Sequence, residues 1–497
     1  MSSPRTSWTR LLLVGGAKAL FAGLAVLVPL TGVWIASSLA AHHGQAMGIS
    51  LLIGALCFPI APLAWEAWST FRRSRKQAPG PRILTLADRL ILRTLTINIT
   101  FVAVLFGAFP SSMFAALSSR GDWMLDGRRG ETADTARGVL FNAADRLQWL
   151  HELTHPNAYE DLIDEDLTRT DDDVRPAPVI PTAPDDAPTG ETPSGDAPKT
   201  ASAWPMPDTL HPLVVDIPAS VQSDYASVAR YIAERESDEV QRLKALHDYV
   251  ADRLAYDVVA LRTLNMPSQR AKDVFDAKMA VCAGYSALLA RMGEEAGLEV
   301  VVVSGHAREE DGSLSKLGHA WNAAKVNGGW VLIDATWDAG AVNGSQFIKG
   351  YETAYFMTPP EIFGRSHFPS DPKWQLREDP LTLGEFVRQS TANPALDALG
   401  VRLVSPDRPV VSVDPPRMVT IQLDNPNRID VEVSVWSETE RIRDCEASDD
   451  LIRFECPVPG PNAAYIGIFG EKENIQRTEF GSSWTRSQVA RITLDVQ

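Results

Sequence analysis

Basic charge is scarce in this chain. Its 497 residues carry 47 Lys and Arg against 63 Asp and Glu, a net charge of −16. The cationic footprint that a nucleic-acid partner requires is therefore missing. Cysteine is scarcer still. Cys57, Cys282, Cys445 and Cys456 are too few for a disulfide scaffold to replace a hydrophobic core. No His-Glu-x-x-His pair and no calcium loop of the EF-hand kind occurs in the sequence. That removes the helical zinc and looped calcium signatures, so the reading carries no metal and no cofactor.

Long apolar runs, by contrast, are present, and they crowd the start of the chain at roughly 19–41, 47–66 and 91–117. Each is close to the about 20 residues that cross a bilayer as a helix. A signal peptide is the rival for the first, but two more spans follow it and no clear cleavage site appears. Cys57 lies inside the second run and reads as a buried apolar thiol, and His42 and His43 read as a solvated loop pair. Arg5, Arg10 and Lys18 precede the first run, and Arg72, Arg73, Arg75, Lys76, Arg82, Arg89 and Arg93 separate the second from the third. The stretch Ala41–Ala46 has neither Lys nor Arg. By the positive-inside rule the N-terminus and second loop are cytoplasmic, and everything after about 118 is extracytoplasmic, on a multi-pass protein of the cell (inner) membrane.

Residues 1–118 thus read as three transmembrane helices and 119–169 as a juxtamembrane helical region. Within the latter, Ala133, Ala136, Val139, Leu140, Ala143 and Leu147 recur at helical spacing and predict helix over 131–168. The acidic, Pro- and Thr-rich stretch 170–210 holds too few large apolar residues to offset its ordering entropy and reads as a disordered linker.

The chemistry is concentrated between Cys282 and Asp334. Two amphipathic helices are predicted over about 221–255, then a helix beginning at Val281-Cys-Ala-Gly-Tyr-Ser286 and ending near Gly297. A cysteine in the first turn of a helix has its thiolate stabilised by the dipole and the free N–H groups. Strands follow at 298–304, at His319–Val326 and from Trp330 to Trp337, the last two joined at Asn327-Gly328, a strong hairpin signal. That register sets His319 opposite Thr336 and leaves Asp334 diagonal to it on the same face; a slip of one residue would separate them. Thiol, imidazole and carboxylate in this order are the parts of an activated nucleophile, its base and the group that orients the base. His306, which ends its strand before a polar loop, is the competing base, and Asp338 the weaker rival to Asp334. The backbone N–H of Cys282 is one candidate oxyanion donor, and Gln269 a candidate side-chain donor.

These segments resemble the transglutaminase-like superfamily, within the papain-like cysteine enzymes. The resemblance continues through Tyr355-Phe-Met-Thr-Pro-Pro-Glu361 and Ser366-His-Phe-Pro-Ser-Asp-Pro-Lys-Trp-Gln-Leu376, which look like the kyphoscoliosis peptidase branch. It covers about 220–390. The resemblance implies an α+β domain, set at 211–395, with Cys282 as nucleophile, His319 as base and Asp334 as its orienter. It also implies a protein or peptide substrate, an amide bond as target and a thioester acyl-enzyme. Water as acceptor gives a peptidase, and an amine gives a cross-linking transglutaminase. The branch includes interaction modules that have lost the cysteine, so a non-catalytic scaffold is the third reading. His367 and Trp374 read as packing, with lining of the cleft as the alternative.

From 396 to the end, short alternating runs such as Val410–Val413, Met418–Leu423, Ile429–Val435, Ala464–Phe469 and Ile492–Val496 predict an antiparallel sandwich of immunoglobulin-like type. Cys445 and Cys456 flank a hairpin-like stretch and form a candidate disulfide in an oxidising compartment. The fold class is therefore multidomain: membrane helices, an α+β domain, and an all-β domain.

Overall fold

The computed structural model describes residues 5–75, 83–126, 128, 130–149, 152, 157–159, 204–309, 311–413, 417–471, 476–478, 481–483 and 486–496. It divides into two compact units, Met1–His155 and Pro156–Val496.

The first unit is helical. It contains α1 (Arg5–His42), α2 (Met47–Ala55), α3 (Ala61–Arg75) and α4 (Leu86–Ala108). Three stretches, Gly23–His42, Met47–Arg75 and Leu86–Ala108, are long and apolar enough to cross a membrane. The second is interrupted at Phe58, whose backbone is extended (φ −161°, ψ 126°) just before Pro59, a residue that disfavours helix at the position preceding it. The third stops earlier than the apolar run to 117 predicts. Phe109 leaves the helical region (φ −140°), and Pro110 opens a separate helix, α5 (Pro110–Arg120), at the first helical position where proline is tolerated. Glu66 on α3 is nearly buried and ion-paired with Arg89, at 2.8 Å, and with Arg93 of α4. Two guanidiniums on one carboxylate fasten these helices together. Of the helix predicted over 131–168, α6 spans Glu131–Asp145, and after a turn Gln148, Trp149 and Glu152 are helical again. Residues 150, 151, 153–156 and 160–203, the last including most of the linker, lie outside the described residues.

In the second unit, α7 (Tyr225–Ala233) and α8 (Glu239–Arg253) each start at an aspartate whose carboxylate accepts a first-turn N–H. Their apolar faces, including Val228, Ile232, Leu243 and Leu246, share one core with Leu288, Leu289 and Met292 of α9 (Cys282–Glu295). The antiparallel sheet packed with α9 is built from β1 (Glu299–Ala307), β2 (His319–Val326), β3 (Gly329–Ile333) and β4 (His367–Pro369), in the order β3-β2-β1-β4. The β2–β3 turn has positive φ at Asn327 (51°) and Gly328 (83°), the two-residue turn whose twist suits a hairpin. It fixes the register at Val326 opposite Gly329. Strand pairing ends at Ile333, four residues before the predicted Trp337. There the Asp334 carboxylate accepts the N–H groups of Thr336 (2.8 Å) and Trp337 (3.2 Å), a local bond that turns the backbone out of the ladder.

The C-terminal region forms two sheets over a common core that includes Ile421, Val433, Phe454, Ile466, Ile468 and Ile492. Five strands (Val410–Val413, Arg486–Val496, Tyr465–Glu471, Val431–Trp436 and Arg441–Asp444) make one sheet; Glu446–Ala447, Arg453–Pro457, Met418–Asp424 and Arg402–Ser405 make the other. Alternation is strict in Met418–Asp424, where Val419, Ile421 and Leu423 point inward. One strand departs from the all-antiparallel expectation. Val410–Val413 lies parallel to Thr493–Val496, because the chain crosses from Arg402–Ser405 of one sheet to the far edge of the other instead of turning back as a hairpin.

Cys445 sits where the chain passes between the sheets and is joined to Cys456, 11 residues on. Closing a loop of that length restricts the unfolded chain, so replacing both cysteines by alanine is predicted to lower the stability of this region by about 3 kcal/mol. Chemical denaturation of the full chain, with and without reductant, checks this.

Candidate active site

Cys282 is the first residue of α9, after Val281 in extended conformation, and is fully buried. The positive end of the helix dipole therefore lies at this position. Gln269 fixes this start from beneath. Its Oε1 accepts the N–H of Val281 (3.1 Å) and its Nε2 donates to the Pro267 carbonyl (3.0 Å). Both ends of the carboxamide are engaged with backbone, and these bonds clamp the helix start. Gly284 permits the clamp: a Cβ there would meet Gln269 Oε1 at 2.6 Å.

His319 opens β2 opposite Gly305. Its Nε2 lies 2.7 Å from Asp334 Oδ2, and Cys282 is the other group that acts electrostatically on the ring. Burial alone would lower the pKa of this imidazole, but the charges of Asp334 and Cys282 outweigh it and push it up to about 10. Asp334 is buried as well, yet His319 and His367 hold its carboxyl well below the usual carboxylate range.

Sequence reasoning read His367 as packing. In the structure it is the second imidazole on the same carboxylate: Nε2 stands 3.1 Å from Asp334 Oδ2, and Nδ1 2.9 Å from Ser366 Oγ. It comes from β4, paired with Ala307, and its ring stacks on Phe363 at 4.1 Å and lies 4.5 Å from Trp337. Burial, with His319 nearby, lowers its pKa to about 4 despite Asp334. It is therefore neutral near pH 7 and donates from Nε2. Asp334 thus accepts four hydrogen bonds, two per oxygen. His319, Asp334 and His367 place their ligand atoms within 4.8 Å of one another, but each of these atoms is accounted for by the hydrogen bonds among them.

The two rivals fall elsewhere. His306 pairs with Phe368 on β1. Asp338 belongs to a different buried network. It accepts the Tyr355 N–H (2.9 Å) and meets His247 Nε2 of α8 at 3.1 Å. His247 Nδ1 in turn meets Asp248, which also binds Lys244 at 2.6 Å. Tyr355 links the two aspartates, because its N–H donates to the Asp338 carboxylate and its carbonyl accepts the Asp334 backbone N–H. The turn carrying Asp334 is thereby anchored to α8. A helix-borne thiol facing a strand-borne imidazole held by a carboxylate makes this a cysteine-enzyme-like fold.

Residues 226–335 match the transglutaminase-like superfamily. Kyphoscoliosis peptidase of Mus musculus is 30% identical over 174 residues, 34% of this chain and 26% of that protein. The Homo sapiens kyphoscoliosis peptidase is 31% identical over 166 residues, 32% and 25% of the two chains. The chain spans about a quarter of the length of these relatives. A solved TGase covers 26% of this chain at 24% identity, with a TM-score of 0.20. The chain carries a transglutaminase-like domain of the kyphoscoliosis peptidase-like branch.

Two outcomes follow from the geometry. His367→Ala removes a buried bond to a charged acceptor and is predicted to cost about 1.5–3 kcal/mol, read from denaturant unfolding. The His319 imidazolium, with its folded pKa raised, contributes stability fully present below its unfolded pKa of about 6.5. That contribution is lost as pH rises towards about 10. The depressed Asp334 contributes above the unfolded carboxyl value of about 3.9 and loses its contribution in stronger acid. The thermal midpoint should therefore fall between pH 6.5 and 10 more steeply in wild type than in His319→Ala.

Proposed function

We propose that the protein is a membrane-anchored, extracytoplasmic cysteine enzyme that attacks amide bonds of proteins or peptides. The observation that carries the reading is the thiol of Cys282 at a helix start, facing an imidazole whose far nitrogen is held 2.7 Å from a buried carboxylate.

Cys282 Sγ, as thiolate, forms a bond to the carbonyl carbon, and charge moves to the oxygen. The Cys282 N–H and the helix start face that oxygen. As the C–N bond breaks, His319 gives its proton to the departing amine, leaving a thioester and a neutral imidazole. Asp334 keeps that ring oriented and stabilises its protonated form. His319 then takes a proton from water, which attacks the thioester and restores the thiolate. An amine attacking in place of water would give a cross-link. The peptidase relatives favour water. Three helices long and apolar enough to cross a bilayer support the anchoring, and the arginines between the second and third support a cytoplasmic side for that loop. The C-terminal pair of sheets is read as an immunoglobulin-like module that supports substrate or partner binding.

Product masses test the reading. A glutamine-containing peptide incubated with the full chain should give hydrolysed products whether or not a primary amine is added, and none with Cys282→Ala. Amine adducts alone would overturn the choice of water as acceptor. Turnover that survives in Cys282→Ala would overturn the nucleophile.

A further inference from the structure

A thiol that must reach a substrate carbonyl is fully buried here, and a short piece of the chain from far upstream buries it. Asn157, Ala158 and Tyr159 precede α9 by more than a hundred positions. Tyr159 is 1% exposed and packs in one apolar cluster with Val281, Cys282, Ala283 and Ala320. Its hydroxyl end lies near Tyr256 and Cys282, both of which act electrostatically on it.

The backbone is held as firmly as the ring. The N–H of Ala158 donates to the Leu317 carbonyl at 3.0 Å. Asn157 Nδ2 donates to the carbonyls of Gly305 (3.1 Å) and His319 (3.0 Å), and its Oδ1 accepts the Tyr159 N–H (2.9 Å). Gly318 is shaped to receive this segment: it has φ +78°, and a Cβ on it would lie 2.6 Å from the Asn157 side chain. The residue before the proposed base is thus a glycine for two reasons, its backbone conformation and the close approach of Asn157.

We propose that Asn157–Tyr159 is a built-in occupant of the substrate cleft, which keeps Cys282 latent until it is displaced by an extended polypeptide substrate. The proposal rests on Cys282 being the nucleophile. The Leu317 carbonyl accepts a main-chain N–H of the strap and the Gly305 and His319 carbonyls accept the Asn157 side-chain amide; all three are acceptors that main-chain N–H groups of an extended peptide would use. The space that the Tyr159 ring fills would take a large aromatic side chain of that substrate. Three residues held by a few hydrogen bonds and one ring can open locally without unfolding the domain. While the strap is seated, reaction at Cys282 is reduced to the fraction of time it is open.

The test uses the full chain in detergent, with iodoacetamide as probe and peptide mapping to read Cys282 alone. Tyr159→Ala should raise the alkylation rate by about tenfold or more, and Asn157→Ala by a smaller factor, in proportion to the open fraction. Tyr159→Phe, which keeps the ring, should stay near wild type. Turnover of the glutamine peptide should rise by the same factors. A thermal transition retained in Asn157→Ala excludes global unfolding as the cause, and that variant carries the test if Tyr159→Ala does not fold. Equal alkylation rates in wild type and both alanine variants would overturn the strap. Opened thiols that turn over no peptide would sink the enzymatic reading and leave the strap standing.

Discussion

The structure depends on one carboxylate. Asp334 accepts hydrogen bonds from His319 and His367 on one oxygen and from two backbone N–H groups on the other. The backbone pair ends β3 and sets the turn; the histidine pair joins the first residue of β2 to β4 across the sheet. A buried carboxylate left with fewer partners would be costly to ionise. With four it is held as an anion, and that anion in turn holds His319 protonated. The charge of the site is therefore fixed by the fold before any substrate arrives.

Around that centre, two further devices act on the backbone and leave the reacting atoms alone. Gln269 clamps the N–H of Val281, so the position of Cys282 follows from a bond made by the residue before it. The His247–Asp338 pair does the same for the turn after β3, with Tyr355 giving its N–H to one aspartate and its carbonyl to the N–H of the other. Both networks are buried and both carry polar groups in an apolar core. Such groups are tolerated only when fully paired, and pairing restricts the backbone to one arrangement.

Much of the site was legible in the sequence, because each part left a local signal. Asn327-Gly328 named its turn, and the turn fixed the register that puts His319 and Asp334 on one side. Cys282 announced itself by standing ahead of an apolar helical run. What was not legible depends on distance. His367 lies 33 residues beyond Asp334, on a three-residue strand too short to show a period, so its bond to the carboxylate has no trace in local pattern. Gln269 could be named as a neighbour of the site, but the direction in which its amide points is set by tertiary contacts. Asn157 and Tyr159 lie in a stretch whose composition predicts only helix, and their place beside the thiol comes from a complementary gap at Gly318. The apolar run to 117 overreached the third span because hydrophobicity alone does not register the break at Phe109-Pro110. The alternating strands of the last hundred residues were visible one by one, but the parallel pairing of Val410–Val413 is a property of the crossover between sheets and has no signature within the strand.

The central claim is that His319 and Cys282 form an activated pair. It is tested most directly by the alkylation rate of Cys282 across pH in the strap-opened Tyr159→Ala chain, with His319 present or replaced by alanine. The account predicts that reaction at pH 6 stays close to that at pH 8 when His319 is present, and that His319→Ala abolishes the low-pH reaction while sparing the rate at high pH. A single profile shared by both chains would contradict it.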